Sequence, residues 1–153
     1  MLQSFDVAEI ALQIIKQRVD RVTNYNEYYN ELIKACYRFL VAYTRNNFQN
    51  QLRIYDDVDV FMRDIEKHQI AGVLFYEIFK DNKKFLTLNV TKFLRTLNNT
   101  AEEVSLSESK KAMYLKLLEV FCRFGDKLVR SNQSEIILQM TADTTRSNVL
   151  YLF

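Results

Sequence analysis

The sequence predicts an all-α solenoid of about seven to nine helices. Three observations carry that expectation. The 153-residue chain has no proline and only two glycines, Gly72 and Gly125; sheets and phosphate-binding loops need those residues at their turns, and helices do not. Apolar residues recur at spacings of three and four along most of the chain. One pattern also appears three times: an apolar helical run, a basic residue, an Asn-rich break, then a new apolar run. It reads Tyr43-Thr44-Arg45-Asn46-Asn47-Phe48-Gln49-Asn50-Gln51-Leu52, more weakly Ile78-Phe79-Lys80-Asp81-Asn82-Lys83-Lys84-Phe85-Leu86, and again Leu128-Val129-Arg130-Ser131-Asn132-Gln133-Ser134-Glu135-Ile136-Ile137. A unit reused in a short helical chain is the signature of a stacked array, and such arrays mostly bind or transmit.

The first helix is drawn by Ala8, Ala11, Leu12, Ile15, Val19 and Val22 on one stripe, with Asp6 or Ser4 to accept its free N–H groups and Asn24 to Asn26 to break it. The second runs from about Asn26 to Arg45. It places Tyr29, Leu32, Ile33, Cys36, Leu40 and Tyr43 on one face, and Phe39 and Val41 on another. Two short helices follow, Asn47 to Tyr55 and Asp57 to Lys67, the latter capped within Asp56-Asp57. Ile70 to Lys80 is an aromatic-rich helix stopped by Asp81-Asn82. Phe85 to Asn98 carries Leu86, Leu88, Val90, Phe93, Leu94 and Leu97. Residues 99–111 read as a polar loop or insertion. Tyr114, Leu117, Leu118, Phe121 and Phe124 are then in helical register, with Gly125 as the expected C-cap. Val129 to Met140 is the last helix. The tail, residues 141–153, ends on Val149-Leu150-Tyr151-Leu152-Phe153; a free domain more often ends polar, so continuation into a longer chain is expected.

By length this is a single domain over residues 1–153, and 48% apolar with 26% charged residues excludes wholesale disorder. A net charge of +2 is too small for nucleic acid, which needs a basic face. Cys36 and Cys122 sit inside apolar helical runs and read as reduced, buried thiols. The start, Met1-Leu2-Gln3-Ser4-Phe5-Asp6, lacks the basic segment and apolar core of a signal peptide, and no run reaches the roughly 18 apolar residues of a membrane span. Direct membrane insertion by this segment is not expected.

No catalytic, cofactor-binding or metal-binding residue is assigned. His68, the one histidine, reads as a surface residue near a helix end, with no second catalytic type at a supporting spacing. Asp56, Asp57 and Asp59 suggest calcium, yet counting from Asp56 the sixth and twelfth EF-hand positions hold Phe61 and Lys67 in place of Gly and an acid. Acids favoured at a helix N-terminus are the stronger account. Lys80, Lys83, Lys84, Lys110, Lys111, Lys116, Arg123, Lys127 and Arg130 interleave with Asp81, Glu108, Glu119 and Asp126, which reads as a solvated mixed-charge face before it reads as a docking patch. The polar residues singled out are Asn50, Gln51, Asn82, Asn132 and Gln133. At a helix junction such side chains can bond the free backbone groups of the adjoining turn and lock adjacent units together. The assignment is structural.

In order, these segments resemble the RIH domain, the ryanodine and inositol trisphosphate receptor homology domain, an armadillo-like helical module of intracellular calcium-release channels. The resemblance rests on Cys36-Tyr37-Arg38-Phe39-Leu40 leading into Asn46-Asn47-Phe48-Gln49-Asn50-Gln51, and on Ile78-Phe79-Lys80-Asp81-Asn82-Lys83. It ends with Tyr114-Leu115, Leu118-Glu119-Val120-Phe121-Cys122 and Val129-Arg130-Ser131-Asn132-Gln133. The shared pattern is a Leu-rich helix with a Cys, a short turn, and a helix opened by an Asn-Gln pair; it is strongest over residues 30–140. It implies an armadillo-like solenoid, a cytosolic, signal-transmitting segment of a tetrameric channel at the cytoplasmic face of an intracellular membrane; the candidate residues weighed above, His68 and the two cysteines, point to no enzyme activity. Its implied partners are other domains of the same channel polypeptide or neighbouring subunits. In the receptor copy that helps hold inositol trisphosphate, Tyr-Arg-Lys immediately precedes the Asn-Gln pair. Here Asn47, Phe48 and Gln49 occupy those places, so the phosphate-pairing cation is missing and inositol phosphate binding is not expected. The competing expectation is a free-standing armadillo-type adaptor, which would show a polar ladder along the exposed faces of Tyr28 to Arg45 and Met113 to Arg123. Helical-repeat RNA binding would need base-reading side chains at a fixed short period, and none is visible.

Overall fold

In the computed structural model, residues 6–19, 27–65, 67–85, 93 and 108–141 are described. They form an all-α fold with seven α-helices: α1 (Val7–Val19), α2 (Glu27–Thr44), α3 (Phe48–Tyr55), α4 (Val58–Asp64), α5 (Gln69–Phe79), α6 (Glu108–Cys122) and α7 (Arg130–Thr141). A 3₁₀ turn spans Lys83–Phe85, and a two-stranded ribbon joins α6 to α7: β1 (Arg123–Phe124) and β2 (Lys127–Leu128). The chain divides into two compact units, Met1–Ile78 and Phe79–Phe153.

In the first unit, α1 starts where the Asp6 carboxylate accepts the Ala8 N–H at 2.9 Å, and its Ala8, Ala11, Leu12 and Ile15 are buried as the spacing predicts. The helix packs on α2 and α4, and α2 packs on α3. The core side of α2 is Ile33, Cys36, Tyr37, Leu40, Val41 and Thr44. This corrects the expected face: Leu32 and Phe39 are exposed, whereas Tyr37 is fully buried. The Tyr37 hydroxyl donates to Asp64 Oδ2 at 2.8 Å inside the core, so the Tyr37 ring can be buried with its polar end satisfied. The stripe Ile33, Tyr37, Leu40, Val41 and Thr44 that faces inward leaves Leu32 outside it. His68 is likewise buried and not on the surface; its ring lies 6.3 Å from that of Tyr37, and its backbone carbonyl accepts the Ala71 N–H as α5 begins. Asp57 occupies the N-cap of α4 without a side-chain cap bond, because its carboxylate meets Lys16 Nζ at 2.7 Å instead.

The second unit is built on rings. Phe79 lies 5.2 Å from Phe85, 5.2 Å from Phe93 and 5.0 Å from Phe121, and Phe93 stacks on Phe121 at 5.2 Å. These are the separations at which aromatic quadrupoles attract. Tyr114, Leu117, Leu118 and Val120 of α6 and Ile136 of α7 complete the buried set. Two boundaries differ from expectation. Glu108 to Lys111 belong to the first turn of α6, not to the preceding loop. At the other end α6 stops at Cys122, so Phe124 is in a strand and Gly125 does not cap the helix. Gly125 instead takes φ +55° in the turn of the ribbon, where Arg123 pairs with Leu128 and Phe124 with Lys127. A two-residue hairpin needs positive φ at its centre, and Gly adopts it at no steric cost. The expectations for Ser4, Val22, Asn24 to Asn26, residues 86–92 and 94–107, and the tail beyond Thr141 lie outside the described residues.

Candidate functional site: the helix junctions

The three Asn-rich breaks become three helix junctions, and two of them are local copies. After α2 ends at Thr44 comes Arg45, then Asn46 with φ 53°, then Asn47, whose N–H returns to the Thr44 carbonyl at 3.1 Å. After α5 ends at Phe79 comes Lys80, then Asp81 with φ 53°, then Asn82, whose N–H returns to the Phe79 carbonyl at 3.3 Å. Asn and Asp tolerate this left-handed conformation better than other residues with a side chain, so they stop a helix in a chain short of glycine. In both places the next Asn then starts the following element. Asn47 Oδ1 accepts the Asn50 N–H at 3.1 Å, and the buried Asn82 Oδ1 accepts the Lys84 N–H at 3.2 Å.

The carboxamides beyond each break bond backwards. Asn50 is the third residue of α3, and its Nδ2 donates to the carbonyl of Tyr43, next to last in α2, at 2.7 Å. Asn132 is the third residue of α7, and its Nδ2 donates to the carbonyl of Phe121, next to last in α6, at 2.9 Å. The last four carbonyls of a helix have no partner within it, so each Asn satisfies one such group. Gln51 does the same at longer range: its buried Nε2 donates to the Glu77 carbonyl, in the last turn of α5, at 2.8 Å. Gln133 follows Asn132 as Gln51 follows Asn50 but is only half-buried; among the described residues its backbone N–H bonds to the Val129 carbonyl at 3.1 Å and its side chain makes no hydrogen bond. Thus Asn50, Gln51, Asn82 and Asn132 all hold backbone groups through their side chains, and among the described residues Gln133 does not. Asn82 and Asn132 also line one small cavity with Phe79, Phe85, Val120 and Phe121.

Charges reinforce these positions. Arg45 Nε lies 3.6 Å from Oε1 of the buried Glu77, so residues from the first junction reach both the side chain and the carbonyl of Glu77. Arg53 pairs with Asp6 and also donates to the Tyr43 hydroxyl at 3.4 Å. Partial desolvation opposes the charged form of Asp6, yet the Ala8 amide, the Arg53 guanidinium and the Glu9 amide outweigh it and hold the carboxyl below its usual range. In the second unit Asp81 Oδ1 accepts the Gly125 N–H at 2.7 Å, tying the second junction to the ribbon. The sequence pattern held no sign of this bond, nor of the Tyr37–Asp64 pair, because both join residues far apart in the chain.

Neither cysteine is suited to nucleophilic chemistry. Burial pushes the Cys36 thiol up, and burial with the nearby Glu119 does the same to Cys122, so both stay protonated at neutral pH. Among the described residues no cluster of His, Cys, Asp and Glu is arranged to hold a metal, and no helix is long and apolar enough to cross a membrane. The arrangement therefore fixes helices relative to their neighbours within each unit. No curated protein and no solved structure matches the chain. The family model of the RIH domain does match, over residues 1–150. With nearly the whole sequence inside that match, and the Asn-rich junctions inside it too, the chain belongs to the RIH domain family.

Proposed function

We propose that the chain is a cytosolic regulatory module that transmits a signal within an intracellular calcium-release channel of the inositol trisphosphate/ryanodine receptor type, at the cytoplasmic face of an intracellular membrane. The observation that carries this reading is the RIH family match over residues 1–150. The junctions support it physically. A helix whose terminal carbonyls are held by buried or half-buried carboxamides from the next helix moves with that helix, and such coupled elements pass a displacement along. Packing against other domains of the same polypeptide or neighbouring subunits is the mode of action, not chemistry on a substrate.

The outward face of α2 bears on the adaptor alternative. Tyr28, Leu32, Ala35, Phe39 and Ala42 are exposed at alternating spacings of four and three. This is an apolar seam, where a groove binder would present a polar ladder. The test is the size of the native polypeptide, read with an antibody against this domain on a fractionated whole-cell extract. A membrane-fraction band of hundreds of kilodaltons, on the order of a large multidomain chain, is the expected result. A soluble band near the 18.2 kDa of this chain removes the channel reading.

A further inference from the structure

The bond between Asp81 and Gly125 gathers charge. Lys80, Lys83, Arg123 and Lys127 all lie within two residues of one end of it. The two segments it joins, residues 80–85 and 123–130, contain the six cations Lys80, Lys83, Lys84, Arg123, Lys127 and Arg130 against the two acids Asp81 and Asp126. That local balance of +4 exceeds the +2 of the whole chain, so the remainder is net acidic. Packing of Phe79 against both Phe85 and Phe121, and the cavity shared by Asn82 and Asn132, bring the two segments together.

In the first unit Lys16, Lys34, Arg45 and Arg53 each meet a carboxylate, and the exposed Arg38, Arg63 and Lys67 are scattered along the chain, not gathered by a long-range bond. Arg123 meets Glu119 at 3.4 Å, but Lys83, Lys84, Lys127 and Arg130 are exposed and make no ion pair among the described residues. One of the two acids is also engaged, since the Asp81 carboxylate is bonded to the Gly125 amide. Among these charges the ribbon holds out Leu128, 62% exposed, between Lys127 and Arg130. Grouped cations attract a carboxylate-bearing partner through complementary potential, and an apolar side chain projecting among them adds a contact that a bare anion cannot use.

We propose that the ribbon, the first residue of α7 and the 3₁₀ turn of the second unit together form a docking surface for an acidic polypeptide segment, with Lys83, Lys84, Lys127 and Arg130 meeting its carboxylates and Leu128 seating one of its apolar side chains. The proposal rests on charge placement in this unit and does not depend on the channel reading. The test is titration of the whole chain with a synthetic Asp/Glu-rich peptide containing a central leucine, by calorimetry at low and physiological salt. Inositol hexakisphosphate and anionic phosphatidylserine vesicles serve as separate probes. Reversal at exposed positions, K83E with K127E, is expected to weaken the peptide by about tenfold or more, and more strongly at low salt where screening is weaker. L128S is expected to weaken the peptide several-fold while leaving hexakisphosphate unchanged, because a bare anion makes no use of an apolar anchor. The control E31K with K34E, a salt-bridged pair in the first unit, is expected to leave binding as it was. Circular dichroism checks that each variant is folded. Equal peptide binding by wild type, K83E/K127E and L128S overturns the proposal. So does binding of hexakisphosphate or vesicles with no binding of the peptide.

Discussion

The carboxamide of Asn132 donates to the carbonyl of Phe121 at 2.9 Å, and it does so around a β-ribbon. Asn50 makes the matching bond to Tyr43 across a tight three-residue break. The sequence offsets differ, eleven residues in one case and seven in the other, yet each Asn is third in its helix and reaches the next-to-last carbonyl of the helix before. The relation between the helices is therefore kept while the connection varies.

Replacing Asn132 with Ala leaves the Phe121 carbonyl without that donor at a site where Asn132 is 7% exposed. A loss of about 1–3 kcal/mol in unfolding free energy is expected, the cost of stranding a buried acceptor. Chemical denaturation measures it. Gln133→Ala is the internal comparison: among the described residues its side chain holds no backbone group, so a change within about 0.5 kcal/mol is expected. Equal losses for the two variants would contradict the junction account.

Tyr37→Phe removes one hydroxyl and one hydrogen bond from the buried Asp64 while leaving the ring, which sits edge-on to Phe61 at 6.1 Å. Because the acceptor is a carboxylate taken out of water, a destabilisation of about 1–3 kcal/mol is expected by denaturation. An unchanged midpoint would show that the hydroxyl has no net part in the core.

At Gly125 an added Cβ meets nothing within 4 Å, so Gly125→Ala tests backbone strain alone. With φ at +55°, the expected cost is about 1–2 kcal/mol. Loss of amide protection at Gly125 itself, relative to Asp81→Gly as a second variant lacking the acceptor carboxylate, reads out the bond by hydrogen exchange. Full stability in Gly125→Ala is the opposing result.

The Asp6–Arg53 pair sets a pH dependence in the first unit. The folded carboxyl lies below its ordinary value of 3.8, so the unfolded chain takes up a proton first as pH falls. The contribution is complete above that ordinary value and is lost as pH drops through the lower, folded one. Wild type should therefore exceed Asp6→Asn in denaturation midpoint near neutral pH, and the gap should close at acid pH. A gap that stays constant down to acid pH would show that the carboxylate's charge is not what stabilises.

Much of the fold was legible in local pattern. Ala8, Ala11, Leu12 and Ile15 were recognisable as one buried stripe, and Asn46 with Asp81 as stop signals, because spacing and side-chain chemistry act over a few residues. Asn50, Gln51, Asn82 and Asn132 could be singled out for the same reason: carboxamides concentrated at breaks invite backbone bonds. The ribbon at Arg123–Leu128 was not legible, since its two short strands interrupt a helical spacing that Phe124 continues from Tyr114, Leu117 and Phe121. Nor was the face of α2, where the buried ring of Tyr37 depends on Asp64, 27 residues away, to satisfy its hydroxyl.

By itself, then, the sequence determined the helical class, the sites of the breaks and the kind of residue that closes them, all of which depend on near neighbours. Only the tertiary structure decided which carbonyl each carboxamide holds, that His68 is inside, and that Asp81 reaches Gly125 to gather the cations of two distant segments. Those outcomes depend on contacts between residues up to 44 apart, whose energies exist only once the chain has folded around them.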